Sequence, residues 1–135
     1  MTLYLLYHRH WIDEEYYDTK LIGIYSSKSI ALCTTEKFSN LPGFCDFKTG
    51  FHIETVNLKA KKLKKGTLYL LTVTKVLDDD EITVSYRACS NVIFARLLCI
   101  VQSIILYVKR QKIYIDKYNI DEDNWTEGFV VMETP

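Results

Sequence analysis

One pattern occurs twice in this chain, and that repetition limits the folds open to it. Leu68-Tyr69-Leu70-Leu71 repeats Leu3-Tyr4-Leu5-Leu6 at an offset of 65, and Leu77-Asp78-Asp79 falls on Ile12-Asp13-Glu14 at that same offset. Tyr86 matches Tyr25 at 61, while Tyr114-Ile115-Asp116 and Asn119-Ile120 match His52-Ile53-Glu54 and Asn57-Leu58 at 62. Nearly constant offsets at three places mark an internal duplication. A single copy could bury its helix on only a three-stranded sheet, which is marginal, so two copies are expected to pool their apolar faces.

Each copy reads as strand, strand, helix, strand. Leu3 to His10 is rich in Leu and Tyr and predicts a first strand, followed by an acidic turn at Asp13 to Glu15. Lys20 to Ser27 predicts a second strand, in which Gly23 suggests a bulge or the close approach of another backbone. Ser26 or Ser27 offers an N-cap to a helix over Lys28 to Ser39, and Pro42-Gly43 stops it. Phe51 to Leu58 alternates as a third strand. The expected organisation is a single domain over 1–135: repeat 1 over 3–58, a basic connector over 59–66, repeat 2 over 67–120 and a tail over 121–135, where Gly128 to Met132 could add an edge strand. The fold class that follows is α+β, an antiparallel sheet with two helices on one face and approximate internal two-fold symmetry.

The second helix falls in Val92 to Val108, the most apolar run in the chain, interrupted only by Arg96, Gln102 and Ser103. Cys89, Arg96, Ser103 and Arg110 recur every seven residues, which places them on one narrow stripe and predicts that the rest turns inward. The reading is a deeply buried, central helix over Ser90 to Ser103, with Ile104 to Val108 open to a strand assignment. Arg96 and the cations after Val108 argue against a membrane span. The first helix carries Thr34, Thr35, Glu36 and Lys37 and is expected at the periphery, with those four exposed.

Lys and Arg total 17 against 17 Asp and Glu, so no global field draws the chain onto phosphate backbones. The N-terminus lacks the layout of a secretory signal, and a cytoplasmic location is expected. Cys33, Cys45, Cys89 and Cys99 form no CxxC pair and read as reduced, with Cys33 and Cys99 as small hydrophobes in helices.

LLYH at Leu5 to His8, KLIGIYSS at Lys20 to Ser27, PGF at Pro42 to Phe44 and GFHI at Gly50 to Ile53 resemble, in order and spacing, a small bacterial domain family of unknown function. That family continues with a strand like Ile115 to Asp121 and closes on a WTEGF like Trp125 to Phe129. About sixty residues separate GFHI from this ending here, so the pattern covers the N-terminal half and the last twenty-odd residues. What the resemblance implies is a small cytoplasmic protein without an established enzymatic activity, some members resembling immunity proteins encoded beside bacterial toxins.

The residues themselves offer few catalytic candidates. His8 and His10 stand two apart on a strand and, with His52, could hold a metal, or one of them could act as a base with Asp13 or Glu14. No Cys, Asp or Glu stands at ligand spacing, and a polar strand face accounts for the histidines more simply; no metal or cofactor is expected. No GxSxG, P-loop, GxGxxG or HExxH is present, which lowers the prior for an enzyme. Five lysines between Lys59 and Lys65 read as a solvated linker rather than a nucleic-acid contact. Two acidic clusters remain, Asp78, Asp79 and Asp80 with Glu81, and Asp121, Glu122, Asp123 and Glu127 around Trp125. An aromatic anchor with an acidic rim suits capture of a basic protein partner. The expected function is therefore a non-enzymatic protein-binding protein, most concretely an immunity protein that occludes a cognate toxin such as a nuclease. The alternative is a sensing module that binds a small molecule or nucleic acid between the repeats. Homodimerisation through a strand edge is left open.

Overall fold

The computed structural model describes residues 1–11, 14, 17–58, 66–77, 80–108 and 111–124, without the side chains of 77, 80 and 102–108. The expected turn at Asp13 to Glu15, the lysine connector and the edge strand at Gly128 to Met132 thus lie wholly or mostly outside the described residues. The elements run β1 (Thr2–Trp11), β2 (Tyr17–Tyr25), α1 (Lys28–Phe38), β3 (Phe51–Asn57), β4 (Thr67–Leu77), β5 (Asp80–Cys89), α2 (Val92–Val108) and β6 (Gln111–Asn119), with one 3-10 turn at Lys48–Gly50. The protein is α+β, with two helices and a repeated strand-strand-helix arrangement. The strands divide between two three-stranded antiparallel sheets, one per repeat, ordered β2-β1-β3 and β5-β4-β6. The leading strand of each repeat is the middle strand of its sheet.

The chain forms two compact units, Met1–Leu3 with Val56–Ile120, and Tyr4–Thr55 with Asp121–Pro135. In the second of these, Leu6, Ile22, Tyr25, Ala31, Phe38 and Phe44 make a buried cluster against which Tyr4, Phe51 and Ile53 pack. In the other, Leu71, Cys89 and Ala95 are buried, with Tyr69, Leu98, Ile113 and Ile115 against them. Several members of the two clusters correspond. Leu6 and Leu71, and Tyr4 and Tyr69, stand 65 apart; Phe51 and Ile113, and Ile53 and Ile115, stand 62 apart. Leu3 and Leu5 share full burial with Leu68 and Leu70. The duplication read from short matches thus extends to the packing.

Both helices begin alike. The Ser27 hydroxyl accepts from Ile30 N at 3.2 Å, and the Asn91 side-chain carbonyl accepts from Ile93 N at 2.7 Å, so each satisfies an otherwise orphaned N–H. Ala31 and Ala95, each the fourth helical residue, donate to the cap carbonyls at 3.2 and 3.0 Å and are fully buried. A methyl side chain there lets the first turn approach the sheet closely. α1 ends at Phe38 with Ser39 as its C-cap, ahead of the Pro42-Gly43 expected to stop it; Gly43, with φ 79, makes a left-handed turn in the loop beyond, and Phe44 anchors that loop in the core.

Four sequence expectations are corrected. α2 is continuous to Val108, so Ile104 to Val108 is helix, not strand. The apolar run does not turn wholly inward: Val92, Ala95, Leu98 and Cys99 face the sheet, whereas Ile93, Phe94, Leu97, Ile100 and Val101 are exposed. A helix on one face of a three-stranded sheet can bury only part of its circumference, and α2 spends that part on β6 and β4. Thr34 is buried, because its hydroxyl donates to Ile30 O at 2.8 Å and so carries no unmet polar group inward. All four cysteines are free thiols, but Cys33 and Cys45 are exposed, and the buried one is Cys89. No helix among the described residues is long and apolar enough to cross a membrane.

Candidate functional site

The tail acids proposed as a binding rim are partly committed within the fold. Asp121, with φ 61, accepts from Ser26 N at 2.8 Å and from the Ser26 hydroxyl at 2.7 Å, while its own N–H donates to Ile24 O at 2.8 Å. Asp123 accepts from the Tyr25 hydroxyl at 2.6 Å and from Lys37 Nζ at 3.3 Å. Burial raises the Tyr25 pKa, and the Asp123 carboxylate beside it adds to the rise, so Tyr25 remains a neutral donor. Asn124 completes the strap, its backbone and side-chain N–H groups both donating to Ile22 O, at 2.7 and 3.1 Å. Glu122 lies over Gly23, where an added Cβ would sit 2.6 Å from the Glu122 carbonyl oxygen. The close approach expected at Gly23 is therefore present, and a strand irregularity falls beside its partner Leu6.

In the other acidic cluster, Glu81 accepts from the Tyr114 hydroxyl at 2.9 Å, from Lys112 Nζ at 3.1 Å and from the Thr74 hydroxyl at 3.4 Å. The Tyr114 bond, then Lys112, holds its pKa below the usual carboxylate range. Asp80 opens β5, while Asp78, Asp79, Trp125 and Glu127 lie outside the described residues.

The three histidines sit in different aromatic surroundings. His8 is fully buried, its Nε2 2.8 Å from Phe47 O and its ring edge-on to Phe44 and Phe51. Burial lowers its pKa, outweighing the Phe47 carbonyl. His10 meets the Phe47 ring edge-on at 4.3 Å. His52 stacks on Tyr7 at 5.5 Å, and its pKa is lowered by burial and then by the Arg9 charge. Among the described residues no group of three or more His, Cys, Asp or Glu side chains could hold a metal ion.

Two features went unread in the sequence. One is the outer face of α2, where Ile93, Phe94, Leu97, Ile100 and Val101 are 66, 49, 55, 63 and 61% exposed. Monomeric proteins rarely show a contiguous apolar patch beyond a few hundred Å², a scale that five such side chains reach together. Ile93, Leu97 and Ile100 are spaced four and three apart, and Ile104 and Tyr107 continue that spacing in the sequence, the period of a helix-packing seam. The other is Arg9, whose guanidinium lies over the Tyr17 ring at 4.1 Å and near the Tyr7 ring at 5.5 Å. An unbroken apolar run offers no contrast to show which side is covered, and an arginine between two histidines carries no motif.

No protein-family model, no curated protein and no solved structure matches the chain.

Proposed function

We propose that this chain is a non-enzymatic protein-binding protein whose docking surface is the outer face of α2. The observation that carries the reading is the exposure of Ile93, Phe94, Leu97, Ile100 and Val101 together on one helix. The partner that fits presents an apolar groove or helix, because binding energy concentrates where large side chains leave water together. A cognate toxin, the partner implied by the sequence resemblance, is the concrete form of this reading. The acidic rim carries less weight than the helix, since Asp121 and Asp123 already accept hydrogen bonds from Ser26, Tyr25 and Lys37.

The test is calorimetry with the purified product of the neighbouring gene. Wild-type chain binds it, whereas Leu97→Glu and Ile100→Glu weaken binding by about thirtyfold or more, the hot-spot scale. Lys28→Glu, at an exposed position of α1, serves as control. Equal affinity of the α2 variants would remove this face from the function. A wild-type chain that sediments as a dimer, with the α2 variants monomeric, would reassign the face to self-association.

A further inference from the structure

At one corner of the first sheet β1 runs on to Trp11, past the start of β3, and a cavity of about 260 Å³ opens there. Arg9, His10, Trp11, Phe47 and His52 line it, and Gly50 keeps the corner bare, since a Cβ would meet Arg9 O at 2.5 Å. The Arg9 Nε is buried and has no hydrogen-bond partner. Among the described residues no carboxylate pairs with this guanidinium, whereas Lys112 of the second repeat pairs with Glu81.

The second repeat shows what the same corner holds when it is filled. Arg9 pairs across β2 with Thr19 and Trp11 with Tyr17, just as Thr74 pairs across β5 with Thr83 and Val76 with Glu81. The repeat offsets place Thr74 at the position of Arg9, Glu81 at that of Tyr17, Tyr114 at that of His52 and Lys112 at that of Gly50. In the second repeat those residues surround an internal carboxylate: Glu81 accepts from Thr74, Tyr114 and Lys112. In the first, the acid is replaced by a phenol, and a cation stands beside it.

We propose that this corner of the first repeat binds an external carboxylate, carried on a small flat aromatic molecule that occupies the cavity walled by Trp11 and Phe47. The ligand carboxylate takes the role that Glu81 plays internally in the other copy. Arg9 suits it, because a planar guanidinium held over an aromatic ring is already oriented for a two-point contact with a carboxylate. Trp11, 54% exposed and edge-on to Tyr17 at 4.9 Å, supplies an open aromatic wall for the ring of the ligand. Docking through α2 is not required for this site.

Benzoate and indole-3-carboxylate are the probes, titrated to millimolar concentration against the full chain while the amide and indole resonances of Arg9, Trp11 and His52 are followed by NMR. Both acids shift these signals saturably, and benzamide, which lacks the charge, does not. Arg9→Met weakens binding by about tenfold or more, the scale of a charge-assisted hydrogen bond, and Arg9→Lys falls between. Tyr17→Glu installs the internal acid of the second repeat and abolishes binding with the fold retained, which keeps the test decisive should an Arg9 variant fail to fold. Equal binding of benzamide, tighter binding of phenyl phosphate, a Tyr17→Glu chain that still binds, or no shift with either acid would overturn the proposal.

Discussion

Leu6 and Leu71 occupy matching places in two cores, and so do Ala31 and Ala95 at the starts of two helices, yet the surfaces built on these shared interiors differ. α1 presents Lys28, Ser29, Glu36 and Lys37 to water, with Ile30 and Leu32 among them, whereas the described outer face of α2 is apolar apart from Arg96. The sheet corner of the second repeat closes around Glu81, while that of the first leaves Arg9 without an acid among the described residues. Packing constrains both copies in the same way, because a core position feels the loss of even one methylene. Outer positions are free to diverge, and functional differences belong there.

The sharpest way to break this comparison is to excavate each core. Leu6→Ala and Leu71→Ala should each cost about 2–5 kcal/mol by denaturant titration, since each removes a fully enclosed side chain. Hydrogen exchange should quicken first in the unit that carries the change. Protection lost evenly from both units after either substitution would mean that the repeats do not keep separate cores.

A smaller effect should follow at Gly23. Gly23→Ala places a Cβ 2.6 Å from both the Glu122 carbonyl and the Tyr25 hydroxyl, and relief must displace the strap over 121–124 at a cost of about 1–3 kcal/mol. A melting temperature equal to that of the wild type would show that the strap is not seated as described.

The smallest effect is one of pH, and it belongs to the first repeat alone, because the position matching His8 is Val73. Burial first, then the charges of His10, His52 and Lys20, lower the folded pKa of His8 below its ordinary 6.5. As pH falls through that value the unfolded chain takes up the proton before the folded one. Stability is therefore full above about pH 6.5 and declines below it, down through the depressed folded pKa. His8→Val should flatten that decline in urea titrations between about pH 7 and pH 5, with His52, shifted the same way, leaving a residual slope. An unchanged slope would mean that His8 is not the group responsible.

How far the sequence could be read is clear from particular residues. Strand and helix positions, Ser27 as cap and Gly23 as a point of close approach are local matters, decided by propensity and by the space a side chain needs, and they were legible. Asp121 and Asp123 were not, because their partners Ser26 and Tyr25 lie 95 and 98 residues away and nothing local announces the pairing. Without that pairing, nothing in the sequence shows that these two acids also hold the chain to β2 and α1. The outer face of α2 failed for another reason: periodicity locates an apolar side only by contrast with a polar one, and this helix has almost none. Arg9 became informative only through its counterpart Thr74, once register fixed which positions correspond.

The strap has a consequence for how the protein is made. Asn124 closes the open margin of β2 at Ile22, 102 positions earlier in the chain. A ribosome therefore releases the first half with one flank unfinished and must translate the whole second half before the missing piece arrives. Throughout that interval the nascent β2 margin stands ready to pair with a neighbouring polypeptide. A message cut short anywhere inside the later copy would thus spoil the earlier one as well.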